Sequence, residues 1–223
     1  MPDELNPDSP GYQLNANFSM NYWLSLGARK EQLVMGVGAY GRGFQLVDSN
    51  NSGFYAPASG PIGKVSYTAT DGFWGYNEFC EKFKSEGNEW TIHRVSSHSA
   101  IQEIQQRINY ISHRTFVINL LNIYTFDPQD TYTVGPYAVK GTDWFSYDDE
   151  LSTRIKSEYI LDNDFAGGMF WSIDTDDFKG FCSETGEPFG LIRTMSTVKT
   201  NYNNIFNFKQ IVLMKNLRLK KSN

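Results

Sequence analysis

Three carboxylates set close together are the first residues that could do chemistry. The stretch "GGMFWSIDTDDF", residues 167–178, runs as an apolar strand and then breaks into Asp174, Asp176 and Asp177. Such a cluster raises the prospect of general acid–base catalysis. His98 and His113 could offer imidazole nitrogens to a metal, but no ligand spacing accompanies them, so no metal site is expected. Cys80 and Cys182 do not fix a redox compartment by themselves; a pair of buried free thiols is the plain alternative to a bridge.

The elements that must position these residues follow from the pattern. "NANFSMNYWLSLG", residues 15–27, predicts a helix: Asn15 or Asn17 can cap it, Phe18, Tyr22 and Trp23 share a face, and Gly27 ends it. Residues 33–37 form a continuous apolar run, as in a parallel strand buried on both faces. A Gly/Ser/Asn/Pro-rich loop follows at 48–63. "YNEFCEKFKS" predicts a short helix closed by Gly87, and "WTIHRV" a strand. "PYAVKGTDWFSY" reads as two short strands around a Lys140–Gly141 turn. In "DDELSTRIKSEYIL" the four-residue spacing of Leu151, Ile155 and Tyr159 predicts an amphipathic helix with acids at its N-terminal end. It leads into a second strand without polar alternation, Phe165 to Ile173. Helix, buried strand, α+β excursion, helix, buried strand is part of a parallel α/β fold.

Composition sets further bounds. A chain of 223 residues with 40% hydrophobic content can build a core, and its 15% aromatic content suits a carbohydrate site, because sugar CH faces pack on rings. A net charge of −5 argues against nucleic acid as the main partner. No apolar run is long enough to span a bilayer, so no membrane partner is expected. The first residues, "MPDELNPDSPGY", do not read as a signal peptide.

Two regions depart from this plan. From Asn88 to Thr133 there is no glycine, although the chain has 19, and residues 95–126 are rich in Ile, Asn, Gln and Ser. Ile101, Ile104, Ile108 and Ile111 could line a helix there. After Glu187 no acid occurs, while Arg193, Lys199, Lys209, Lys215, Arg218, Lys220 and Lys221 are basic. Residues 95–126 and the tail from 202 onward resemble translated non-coding sequence, a lineage-specific loop being the alternative for the first. The first is expected to form no part of the core, and the tail after Tyr202 to be loosely held.

Five motifs in order resemble glycoside hydrolase family 18, the chitinases and their catalytically dead lectin relatives: "LVMGVGAYGRGF", "APASGP", "GYNEFCEKF", "PYAVKGTDWFSYDDE" and "AGGMFWSIDTDDFKGFC". The resemblance covers residues 9–94 and 127–200. It implies an α/β fold: the C-terminal part of a (β/α)8 TIM barrel, strands seven and eight, with an α+β insertion domain at about 55–147. Residues 1–200 would be a partial catalytic domain and 201–223 an atypical basic tail.

The resemblance also assigns residues. Trp171 matches the tryptophan that floors the sugar pocket, and Met169, on the same strand face, a pocket-lining methionine. Tyr40 and Arg42 match a sugar-contacting pair on the loop after strand seven, and Phe73 lies where a pocket Met or Phe is common. Thr70 stands where many members carry a substrate-contacting glutamate. Cys80 and Cys182 match cysteines that tie the insertion domain to the end of strand eight. Family catalysis needs D-x-x-D-x-D-x-E, whose Glu protonates the leaving oxygen while the substrate's own acetamido group attacks. Counted from Asp174, that frame meets Lys179 and Phe181 instead, so the three acids are expected to be structural and no catalytic residue is assigned. The implied function is that of a chitinase-like portion, inactive alone, whose partner is chitin or a chitooligosaccharide, with no cofactor and an extracellular location. A chitin-binding lectin or a non-functional truncated product is the alternative.

Overall fold

Two parallel strands that are remote in sequence lie side by side in the computed structural model, which describes residue 13 and residues 15–95, 124–127, 135–183, 185–198 and 212–213. They are β1 (Val34–Gly38) and β9 (Gly167–Trp171), paired from Val34↔Gly167 to Gly38↔Trp171. Between them the chain builds a second, seven-stranded sheet. Its strands are β2 (Tyr40–Leu46), β3 (Ala58–Pro61), β4 (Phe73–Gly75), β5 (Thr91–Val95), β6 (Tyr124–Asp127), β7 (Pro136–Lys140) and β8 (Asp143–Ser146). The order is β3-β2-β8-β7-β5-β6, with β4 also pairing β2. The predicted turn joins β7 to β8, with Gly141 at φ 58° where a side chain would be strained.

Helix α2 (Tyr76–Glu86) packs one face of this sheet and ends at Gly87, φ 58°. Phe79 stacks on Phe145 with ring centroids 5.1 Å apart and meets Trp90 edge-on at 5.8 Å. Val37, Phe170, Leu191 and Met195 join the same buried cluster, so one core serves both sheets. Helix α3 (Glu150–Asp162) returns the chain to β9, and α4 (Gly190–Thr197) packs against α3.

Two expectations need correction, and the structure also shows which side of the first helix is covered. Helix α1 (Ala16–Ser25) has its Asn15 cap, with the Phe18 N–H donating to Asn15 Oδ1 at 2.7 Å. Its buried contact, however, is Met20, which joins Met35, Ile160 and Phe165, while Tyr22 and Trp23 are exposed. Strand β1 is parallel but not buried on both sides: Met35 and Val37 are buried and Val34 is exposed. In α3 the fully buried positions are Ser152, Thr153, Ser157 and Ile160, not the Leu151–Ile155–Tyr159 stripe. Small hydroxyl residues allow close approach, and the Ser157 hydroxyl is satisfied by donating to the Thr153 carbonyl at 2.7 Å.

The residues of unusual composition mostly lie outside the described ones. This holds for His98, His113 and the predicted helix at Ile101–Ile111. The end of the first segment does pair, since β6 runs parallel to β5 with Ile92 opposite Tyr124. In the basic tail, Val212–Leu213 (β10) pairs parallel to β9, opposite Met169 and Phe170, where a loosely held tail was expected. No helix among the described residues is long and apolar enough to cross a membrane.

Candidate functional site

In a parallel pair, residues in register point their side chains to the same face. Met169 and Trp171 stand two apart on β9, both half-buried, between the buried Gly168 and Phe170. Opposite them on β1 are Gly36 and Gly38. The missing side chains leave room that neighbours use: a Cβ on Gly36 would lie 3.2 Å from Met169 Cε, and one on Gly38 would lie 2.8 Å from the Tyr40 ring. The two glycines thus let Met169 and the Tyr40 ring settle over β1, on the strand paired in register with Trp171. The Trp171 carbonyl accepts from the Ala39 N–H at 2.8 Å, which fixes the crossing from β1 into β2 against the end of β9. The Trp171–Ser172 peptide bond is cis.

From Tyr40 the site continues along the seven-stranded sheet. Tyr40, Arg42 and Phe44 alternate with the buried Gly41 and Gly43 and share one face of β2. On β4, Phe73 is in register with Arg42. The Tyr40 and Phe73 ring centroids are 4.7 Å apart, and the Arg42 guanidinium sits 4.9 Å from the Phe73 centroid and 5.8 Å from that of Tyr40. The planar cation is held over two rings with its donors available to a ligand. Thr70 forms a bridge to Phe73, and its hydroxyl donates to the Thr68 carbonyl at 3.0 Å, so a local turn occupies it.

Sequence reasoning missed Glu78. This buried carboxylate accepts from the Thr68 N–H at 3.0 Å, the Thr68 hydroxyl at 2.7 Å and the Gly75 N–H at 2.9 Å. It thereby ties the loop carrying Phe73 to the start of α2. The signal was present in "GYNE", a glycine followed three residues later by Glu, the spacing of a capping box. The glycine pair of "GVG" on β1 was the second missed signal.

The three acids after β9 have structural partners. Asp174 accepts from the Ser172 hydroxyl. Asp176 is fully buried and accepts from the Asp177 N–H at 2.7 Å and the Ile192 N–H at 3.1 Å, capping the first turn of α4 from a distance. Burial pushes its carboxyl above the usual range, while N–H donors of Ile192, Asp177 and Leu191 pull the other way. Asp177 accepts from the Cys182 N–H at 2.7 Å, and its carbonyl accepts from the Phe189 N–H at 2.8 Å. Asp176 and Asp177 are therefore spent on holding the segment after the strand.

Cys80 and Cys182 form a disulfide with Cα atoms 5.3 Å apart, joining α2 to that segment. Among the described residues Cys80, Asp177 and Cys182 are the one group whose ligand atoms gather within 4.8 Å. Both sulfurs are bonded to each other, so the group is a covalent junction and does not act as a metal centre.

The family model for Glycosyl hydrolases family 18 matches residues 3–176. "Probable chitinase 10" of Drosophila melanogaster is 33% identical over 82% of this chain, which corresponds to 6% of that protein. The Group IV chitinase of Ostrinia furnacalis in complex with allosamidin superposes with a TM-score of 0.61 at 33% identity, covering 82% of this chain and 39% of that one. Human YKL-39, a pseudo-chitinase with retained chitooligosaccharide binding properties, gives 0.62 at 28% identity, covering 86% and 41%. The chain thus spans well under half the length of these relatives.

Proposed function

We propose a chitooligosaccharide-binding role from a plain premise: the chain belongs to glycosyl hydrolases family 18. In this role β1 and β9 are the seventh and eighth strands of a (β/α) barrel, and the seven-stranded sheet is the domain inserted between them. Residues 1–200 then form a partial catalytic domain and 201–223 an atypical tail. The observation that carries the proposal is Met169 packed at Gly36 and the Tyr40 ring packed at Gly38, with Trp171 in register opposite Gly38, continued by Arg42 over Phe73.

Each side chain has a task that its chemistry suits. Trp171 offers an apolar face to a pyranose ring at low conformational cost. Met169 and Phe73 exclude water beside it, and the Arg42 fork donates to hydroxyl or acetamido oxygens. None of these groups can protonate a glycosidic oxygen near neutral pH, and Asp174, Asp176 and Asp177 are engaged elsewhere. Hydrolysis therefore needs a carboxylic acid that this sequence does not supply in the required motif. A disulfide between α2 and the post-β9 segment suits an oxidising, extracellular setting. A lectin-like protein without catalysis is the second candidate, favoured by the match to a pseudo-chitinase that retains oligosaccharide binding.

Calorimetry with chitooligosaccharides tests the site. Trp171→Ala is expected to cost the most affinity. Arg42→Ala should cost about 0.5–1.5 kcal/mol, the net worth of an ordinary hydrogen bond. Thr70→Ala should change little. A smaller loss for Trp171→Ala than for Thr70→Ala would refute the assignment, and turnover of a labelled chitotrioside above the Trp171→Ala background would refute inactivity of the chain.

A further inference from the structure

The Cys80–Cys182 junction has a third member that the bridge does not use. Asp177 is 1% exposed, and its Oδ2 accepts from the Cys182 N–H at 2.7 Å, which turns the carboxylate toward the cysteines. Its other oxygen, Oδ1, is buried with no hydrogen-bond partner among the described residues. Nearly all buried polar groups are satisfied, and an exception points to a missing partner, a redox role or an ion. A carboxylate oxygen of Asp177 and the two sulfurs all lie within 4.8 Å of one another. The idle oxygen thus belongs to a group that contains two cysteines.

While the bridge stands the group is no metal centre, because the thiolate, not the disulfide, is the metal-binding form of cysteine. Reduction changes the donor set to two sulfurs and one buried oxygen in one place, and that set suits zinc. Zn2+ binds thiolate at about 2.3 Å and carboxylate at about 2.0–2.2 Å in a tetrahedron, so its ligand atoms stand roughly 3.5–3.8 Å apart. The two Cα atoms are 5.3 Å apart, and rotation of the side chains is enough to part the sulfurs that far. Cys80, fully buried on α2, supplies the fixed end, and the half-buried Cys182 leaves room for water as a fourth ligand. The Asp177 backbone is held as well. Its N–H donates to Asp176 Oδ1 at 2.7 Å, and its carbonyl accepts from the Gly180 and Phe189 N–H groups at 3.2 and 2.8 Å. Such contacts set a ligand in place before the metal arrives.

We propose that reduction of the Cys80–Cys182 bridge opens a zinc site in which both thiolates and the Asp177 carboxylate hold one Zn2+ ion. With a phosphine as reductant, the S–S bond accepts two electrons, the phosphine leaves as its oxide with oxygen from water, and two thiols form. Zinc then displaces their two protons to solvent and takes both sulfurs. The covalent tie between α2 and the segment after β9 is exchanged for a metal tie at the same point, so the junction stays closed in both redox states. The site is separate from the sugar-binding role above and does not depend on it.

The test uses the purified 223-residue chain, reduced anaerobically with a phosphine, and zinc chloride or cobalt(II) chloride as the ligand. Competition with a chromophoric chelator should show one zinc bound per reduced chain and none, at the same concentration, by the oxidised chain. Cobalt should give thiolate charge-transfer absorption and the intense visible bands of a tetrahedral site. Asp177→Asn keeps an acceptor for the Cys182 N–H and is expected to weaken zinc binding at least about tenfold, the loss that even a contact outside the ligand set can cause. An unfolded dithiol would not sense that change, so the variant separates a built site from loose thiol binding. Zinc should also raise the melting temperature of the reduced chain and leave that of the oxidised chain unchanged. Equal zinc affinity in Asp177→Asn, equal binding by the oxidised chain, or a reduced chain that zinc does not stabilise would each overturn the site. Cobalt spectra of the wild-type chain decide independently of the variant, since the weak bands of an octahedral ion would overturn it too.

Discussion

Replacing both Cys80 and Cys182 by alanine removes one covalent link whose cost can be worked from the fold. The bridge closes a sequence separation of 102 residues between α2 and the segment after β9. On the chain-entropy model, releasing a loop of that length gives the unfolded chain about 16 cal/mol/K, or about 4.7 kcal/mol at 25 °C. The native side should change little, because the same junction keeps non-covalent ties. The Asp177 carboxylate still accepts from the backbone N–H at position 182 (2.7 Å here), and Lys179 still pairs with Glu81 at 2.6 Å. Cys80 is fully buried, so loss of its sulfur adds a small packing cost in the same direction. Typical domains are stable by about 5–15 kcal/mol, so the loss would be a third or more of the total. Urea titration followed by tryptophan fluorescence measures it, and the m-value should rise as the unfolded chain expands. A loss below about 1 kcal/mol with an unchanged m-value would refute the reasoning, since it would mean the unfolded chain is already as restricted without the link.

Two further outcomes follow from packing and charge. Gly41→Ala should destabilise far more than Gly168→Ala: the first Cβ would lie 2.2 Å from the Phe145 ring and 2.3 Å from the Ser146 carbonyl oxygen, whereas the second meets the flexible end of Met195. Thermal melts should show a loss of at least about 3 kcal/mol for Gly41→Ala and about 1 kcal/mol for Gly168→Ala. For Asp176 the folded carboxyl titrates above its unfolded value, so its contribution is fully present below the unfolded pKa and declines as pH rises through the folded one. Asp176→Asn should therefore cost more stability at pH 4 than at pH 7, and the reverse order in melts at the two pH values would contradict the burial cause.

The candidate site residues were assigned by resemblance to the family, and only the shared strand face of Met169 and Trp171 was legible from spacing. Tyr40 and Arg42, expected on a loop, stand two apart on strand β2. The acids could be set aside because their spacing failed a required pattern, and the hydrogen bonds of Asp176 and Asp177 give the reason they occur there. What counting missed lies in non-local packing. The α3 helix carries an apolar stripe at Leu151, Ile155 and Tyr159, yet close approach to its neighbours selects Thr153 and Ser157 for burial. Likewise, spacing puts Phe18, Tyr22 and Trp23 on one face of α1 without saying which face is covered, and it is Met20 that meets Met35 and Ile160. Periodicity shows that a helix has faces; which one is covered depends on partners that the local sequence does not name.

The pairing of β2 with β8, Arg42 opposite Ser146, has a consequence for how the pocket is assembled. Strands β1 and β9 must find each other across everything from Gly38 to Gly167, a long and entropically costly closure. Once β2 and β8 are paired, the chain leaving β1 and the chain returning toward β9 are already neighbours, and only the span of α3 remains to be closed. The intervening sheet thus works as a splint, turning a remote encounter into a nearly local one. Damage at Gly41 or Phe145, which touch no sugar in the proposed site, would then be felt first as a failure to bring the two halves of the pocket together.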